Sequence, residues 1–147
     1  MTWTVCSYNV AENTNEPTSP GADSHGASGS GTAVSEASAR RVLENLTELE
    51  PDLKAAAVIG DDGKTVASTG KDPNWSQVAA QLVGALDAAQ ARPVDSAHLA
   101  TDDAEIFAVR ENGLVLVAVT ARFVLASLTG FDLRMALRDL SKGAESA

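Results

Sequence analysis

Short apolar runs separated by turn-forming pairs predict five β-strands. An Asp-Gly or Asn-Gly pair between two such runs is typical of a hairpin with a two-residue type I′ turn, in which both central residues have positive φ. The sequence therefore predicts two tight hairpins, turning at Asp62-Gly63 and at Asn112-Gly113. The predicted strands span residues 55–59, 65–69, 96–101, 105–111 and 114–121.

Three longer segments carry apolar residues at helical spacing and predict helices over residues 35–49, 75 to about 91, and 124–141. Ser35 and Asn74 are the predicted N-caps of the first two helices. The residues predicted to face inward are Val42, Leu43, Leu46 and Leu49 on the first helix and Leu133, Leu137 and Leu140 on the third.

The second helix differs from the other two because it has no charged residue between Trp75 and Leu86. One face carries Val78, Leu82, Leu86 and Ala89, and another carries only small residues, Ser76, Ala80, Gly84 and Ala88. A helix that is apolar or small on every side is usually buried on more than one side. One face is expected to meet the sheet, and the small residues would let the same helix of a second copy approach closely across a two-fold axis. The alternative interpretation is that the alanines supply helix propensity on an exposed face.

The element order is therefore α-β-β-α-β-β-β-α. The last strand carries apolar residues on both of its faces, which predicts that helices cover the sheet on both sides. The fold class predicted is an α/β sandwich with a largely antiparallel five-stranded sheet.

A change in composition predicts the domain boundary. Residues 11–32 are dominated by Gly, Ser, Pro, Asn and Thr and contain three acidic residues, no Lys or Arg and no large aliphatic residue. We therefore predict a disordered N-terminal extension and linker over residues 1–33, followed by one folded domain over residues 34–147. Trp3, Cys6 and Tyr8 would form either a docking peptide or part of an irregular terminus.

Charge and cysteine content exclude several functional classes. The net charge of −9 and the pI near 4.5 argue against a basic surface for nucleic acid or anionic membranes. Cys6 is the single cysteine, so no disulfide forms within the chain, and the longest apolar run, residues 114–119, is too short to span a bilayer. No signal-peptide pattern is present, and we expect a cytoplasmic protein.

Motifs for chemistry are absent from the sequence. There is no phosphate-binding loop, and His25, His98 and one cysteine do not make a zinc site. Asp95, Ser96 and His98 are the residue types of a catalytic triad, but on a strand Asp95 would point away from the other two, so a surface strand is the better interpretation. No catalytic residue, metal site or cofactor is predicted, and we expect no enzyme. Trp75 is either an exposed contact residue or the edge of the core.

Four segments in this order resemble the Roadblock family of dynein light-chain and bacterial GTPase-regulator domains, over roughly residues 42–140. They are AAAVIGDDGKTVAST (55–69), QVAAQLVGALDAA (77–89), ENGLVLVAVT (111–120) and LASLTGFDLRMALRDL (125–140). Two departures occur in the last segment: Ala126 stands where the family commonly has Gly, and the spacing to Asp132-Leu133-Arg134 is slightly long.

The resemblance implies a profilin/longin-like sandwich without enzymatic activity. It also implies a homodimer that pairs the second helices and extends the sheet across the axis, and a small Ras-like GTPase as partner. The alternatives are a small-ligand sensor and a general adaptor of the same fold; a pocket lined by polar side chains with displaced pKa values would favour the sensor. The expected dimer contacts are Ser76, Ala80, Gly84, Ala88 and Leu99, and the expected partner contacts are Trp75, Gln77 and Gln81.

Overall fold

The computed structural model describes residues 34–145 and confirms the predicted element order. The elements are α1 (Glu36–Leu49), β1 (Leu53–Ile59), β2 (Thr65–Thr69), α2 (Trp75–Gln90), β3 (Ser96–Ala100), β4 (Glu105–Glu111), β5 (Leu114–Thr120) and α3 (Ala126–Glu145). The strands form one antiparallel sheet in the order β2-β1-β5-β4-β3. The predicted α/β sandwich is confirmed. The predicted extension over residues 1–33, with Trp3, Cys6 and Tyr8, lies outside the described residues.

The first core lies between the sheet and the pair α1 and α3. Leu133, Leu137 and Leu140 of α3 are buried there, as predicted, together with Leu43 and Leu46 of α1. The prediction for Leu49 is wrong, because this residue is 73% exposed. The buried stripe of α1 is centred on Ala39, Leu43 and Leu46, so Leu49 lies at its edge in the last turn of the helix.

The second core lies on the opposite face of the sheet, under α2. Trp75, Ala79 and Val83 are its buried helical residues, and they pack with Ala57 and Val117 of the sheet. The buried face of α2 differs from the apolar face predicted from the sequence. Of the residues on the predicted face, Leu82 and Leu86 are half-buried, but Val78 is 47% exposed. Both faces of β5 are covered, as its two-sided apolar sequence predicts.

The two hairpins differ in their turns. Asn112 and Gly113 both have positive φ (52° and 79°), which confirms the type I′ turn between β4 and β5. In the first hairpin only Gly63 has positive φ, and its N–H donates to the Gly60 carbonyl at 3.0 Å. This is a three-residue loop that ends in a left-handed glycine, so the predicted two-residue turn is wrong there. The Asp62 carboxylate accepts the Lys64 N–H and stabilises the longer loop.

Candidate interaction surfaces

Helix α2 is attached to its neighbours at both ends. Near its start, the Thr65 hydroxyl donates to the Ser76 carbonyl at 2.7 Å. Near its end, the Asp87 carboxylate accepts the Val94 N–H at 2.9 Å and the Arg110 guanidinium at 2.8 Å. These contacts fix the orientation of the helix on the sheet and therefore the face that it presents to solvent.

The residues predicted to pair two copies lie partly on that solvent face. Gly84 and Ala88 are exposed, and Ser76 and Ala80 are half-buried. A Cβ atom added at Gly84 would meet no other side chain and no neighbouring element of the described residues within 4 Å, so the space beside it is open. Leu99 is already buried within its own chain, on β3. The pairing of two copies through these residues stays a prediction.

The residues predicted to contact a partner divide into two kinds. Gln77 and Gln81 are exposed, one turn apart on α2. Trp75 is only 9% exposed and packs in the second core, which favours the interpretation of Trp75 as a core residue. Its indole Nε1 has no hydrogen-bond partner among the described residues. A role for these three side chains in partner binding stays a prediction.

A larger apolar surface lies on the opposite face of the sheet, and the sequence analysis missed it. We call it the α3 patch; its side chains are 36–87% exposed and belong to Phe123, Leu125, Leu128, Phe131 and Met135. Leu128, Phe131 and Met135 recur at i, i+3 and i+7, opposite the buried leucines of α3. That spacing could have indicated the patch from the sequence, but the buried leucines of the same helix give a stronger helical pattern.

Phe123 is held in an unusual conformation at the start of the patch. Its φ of 67° is left-handed, which bulky residues rarely adopt. Helix α3 begins at Ala126, two residues later than the predicted start at residue 124. The Glu105 carboxylate accepts the Phe123 N–H at 2.8 Å and bonds His98 Nε2 at 2.8 Å, while Glu105 itself is only 7% exposed. The Arg122 guanidinium stacks on the Phe123 ring at 4.7 Å.

Several solved structures have a similar fold. A Roadblock/LC7 domain from Streptomyces avermitilis has a TM-score of 0.59 and 18% identity, covering 68% of this chain and 92% of its own. Myxococcus xanthus MglB has a TM-score of 0.61 and 17% identity, covering 76% and 90%. An MglB structure with a tetrameric arrangement has a TM-score of 0.56 and 17% identity, covering 75% and 92%. The chain has the Roadblock/LC7 fold.

This likeness establishes the Roadblock/LC7 fold and leaves function to be argued from the surfaces. No protein-family model matches the chain, and no curated protein does. None of the helices within residues 34–145 is long and apolar enough to cross a membrane.

Residues capable of chemistry are scattered over this Roadblock/LC7 fold. Within the described residues, no three His, Cys, Asp or Glu side chains could together hold a metal ion. The triad residue types do not assemble: His98 bonds Glu105 and stacks on Phe107 at 4.4 Å, while exposed Asp95 accepts the Arg110 N–H through its backbone carbonyl. A groove of about 350 Å³ lies between β3 and α3, and its lining includes His98, Arg134 and Phe131.

Proposed function

We propose that this chain is a non-catalytic, homodimeric interaction module that binds or regulates a small Ras-like GTPase in a cytoplasmic signalling complex. The observation that carries the proposal is the exposed, uncharged face of α2 within a Roadblock/LC7 fold. Similar proteins include MglB, which one structure shows in a tetrameric arrangement. The sequence resemblance to bacterial GTPase-regulator domains supplies the partner class.

The shape of α2 supports pairing through this helix. Gly84 and Ala88 are exposed and carry little or no side chain, so the backbone of a second helix could approach closely. Exposed Val78 adds apolar area beside them. Because the helix is fixed to the sheet at both ends, the face is formed before association, which lowers the ordering cost of binding.

The groove between β3 and α3 supports a small-ligand sensor as the alternative. Its volume of about 350 Å³ is at the lower end of ligand pockets, and His98, Arg134 and Ser96 supply polar groups. Ala97, Phe107 and Val109 make much of its remaining lining apolar. The interaction module is the better-supported function because it accounts for the uncharged face of α2 as well as for the fold.

The solution mass of the full chain tests the dimer. We expect twice the monomer mass by light scattering behind a sizing column, over a range of concentrations. Gly84→Arg is expected to give a monomer with an unchanged circular dichroism spectrum, because a long charged side chain would enter the helix pairing. Gly84→Ala is the matched control and should remain dimeric. A monomer at every concentration, or a dimeric Gly84→Arg, would contradict the proposal.

A binding titration tests the partner class. A purified small Ras-like GTPase, loaded with GDP or with a non-hydrolysable GTP analogue, is titrated with the chain. We expect binding that depends on the nucleotide and weakens in a variant carrying Gln77→Ala and Gln81→Ala. Binding of neither nucleotide state would count against a GTPase partner.

A further inference from the structure

The size of the α3 patch suits a tethered segment better than a free partner. Its five side chains expose about 500 Å² of mostly apolar area, on the order of the largest patch that a soluble monomer presents. A stable complex between separate proteins usually covers about 800 Å² on each of them. A segment of the same chain needs less area, because its tether has already removed most of its translational freedom.

The charges beside the α3 patch balance one another. Three arginines and three carboxylates lie on α3 or next to it: Arg122, Arg134, Arg138, Glu111, Asp132 and Asp139. Glu111 accepts hydrogen bonds from two of these arginines, at 3.4 and 2.9 Å. A surface balanced in this way attracts neither an acidic nor a basic molecule. An apolar segment without charged side chains can cover it and leaves no charge of its own buried and unpaired.

Residues 1–10 of the same chain, MTWTVCSYNV, have this composition. They include no Asp, Glu, Lys or Arg, and Trp3 and Tyr8 are two of the six Phe, Trp and Tyr residues in the whole sequence. Aromatic side chains bury large areas and are enriched among the residues that dominate binding energy. Residues 11–33, by contrast, contain three acidic residues and no Phe, Trp or Tyr. The apolar character before residue 34 is therefore concentrated in one short segment.

The described chain begins on the face of the sheet that carries the patch. Val34 packs against the first core, which α1 and α3 cover. At the other end of α1, Glu50 hydrogen-bonds Asp132, the neighbour of Phe131 on α3. Helix α1 has 14 residues and is therefore about 21 Å long. With the flanking residues included, Val34 lies at most about 40 Å from Phe131.

The linker predicted over residues 11–33 is long enough for this distance. A Gly- and Ser-rich chain of that length has a root-mean-square end-to-end distance of about 25 Å and reaches about 75 Å when extended. Residues 1–10 would then meet the α3 patch at an effective concentration on the order of millimolar. At that concentration even a weak contact is occupied most of the time.

From the reach, the area and the absence of charge we infer that residues 1–10 dock on the α3 patch of the same chain. Trp3 and Tyr8 supply the aromatic contacts to Leu128, Phe131 and Met135. The groove of about 350 Å³ between β3 and α3 opens beside Phe131 and can receive one aromatic ring. The docked segment covers the patch against other molecules, so the contact is autoinhibitory. Because α2 lies on the opposite face of the sheet, docking does not depend on pairing through α2.

The thiol of Cys6 reports docking in the full chain, because Cys6 is the single cysteine and lies within residues 1–10. Its alkylation by iodoacetamide is followed by mass spectrometry. In a variant carrying Leu128→Ser and Phe131→Ser the thiol should react about tenfold faster than in the parent, because a contact with a Kd of about 0.1 mM keeps roughly nine tenths of the segment docked at millimolar effective concentration. Leu49→Ser, which changes an exposed leucine on α1, is the matched control and should leave the rate unchanged.

Substitutions within residues 1–10 keep the test decisive if the patch variant unfolds. Trp3→Ser with Tyr8→Ser lies outside residues 34–145 and should shift the backbone NMR signals of the α3 patch but not those of α2. Thr2→Ser with Thr4→Ser is the control and should shift neither. An unchanged alkylation rate in a folded patch variant, or unshifted patch signals, would overturn the inference. So would two other results: a rate that varies with chain concentration, which would place the segment on another copy, and a patch variant with half the parent's solution mass, which would show that a second copy covers the patch.

Discussion

Replacing Glu105 with alanine should destabilise the protein by about 2 kcal/mol. The substitution removes a carboxylate that accepts two hydrogen bonds, one from the Phe123 N–H and one from His98 Nε2, each at 2.8 Å. Hydrogen bonds to charged groups contribute about 1.5–3 kcal/mol each. Two such bonds together would contribute about 3–6 kcal/mol. Because Phe123 is exposed and the His98 side chain is half-buried, water replaces part of what is lost, and the net loss falls to about 2 kcal/mol. Urea unfolding, followed by circular dichroism at constant protein concentration, should show a midpoint lower by about 1 M.

Two further variants separate the hydrogen bonds from the charge. Glu105→Gln keeps an oxygen for the Phe123 N–H and offers an amide N–H to His98, so it should lose less than half as much stability. In a double-mutant cycle, Glu105→Ala and His98→Ala should show a coupling of about 1 kcal/mol. An alanine variant within about 0.5 kcal/mol of the parent would refute the reasoning. It would mean that the cost of burying the carboxylate offsets both hydrogen bonds.

Substitutions at three other positions test separate parts of the structure. The free energy of unfolding in the urea assay should be about 1 kcal/mol larger for Phe123→Gly than for Phe123→Ala, because glycine adopts the left-handed conformation without strain. Equal stabilities would contradict the assigned backbone. Burial, a hydrogen bond with Asp132 and the charges of Asp132 and Asp52 raise the pKa of Glu50, so its ionised form costs stability at neutral pH, and this cost disappears as pH falls below the ordinary carboxyl range. Glu50→Gln should therefore raise the melting temperature at pH 7 and leave it unchanged at pH 3, and a lower value at pH 7 would count against that environment. Leu137→Ala, at a fully buried position of the first core, should lose about 3–5 kcal/mol in the same urea assay, and a loss below 1 kcal/mol would show that the core is loosely packed.

The elements of this fold could be predicted because their signals are local. Asn112-Gly113 fixes one hairpin through the φ values of two residues, and Ser35 caps α1 by accepting the Ser38 N–H, as expected. Asn74 occupies the N-cap position of α2 but makes no side-chain capping bond. The first turn was misassigned because Asp62 can either adopt positive φ or bond its own loop, and here it does the latter. Choosing between those two needs the three-dimensional structure.

The orientation of α2 and the α3 patch could not be predicted, for a shared physical reason. A helix with one apolar stripe shows which side faces the core, but α2 has no charged residue between Trp75 and Leu86 to mark the other side. In α3, the exposed Phe131 and Met135 follow a helical spacing as regular as that of the buried leucines. Which set is buried depends on packing against α1 and the sheet, which is a long-range property.

The placement of α2 and α3 on opposite faces of the sheet has a consequence for avidity. If two chains pair through α2, each contributes one α3 patch, and the resulting particle is bivalent toward any ligand that binds this patch. Once one of two linked ligands is bound, the second meets its patch at a high effective concentration. Overall binding can then exceed that of a single patch by about 10²–10⁴-fold without any new contact. Even if each site is weak, a ligand that carries two copies of the recognised segment would therefore bind much more tightly than a ligand that carries one.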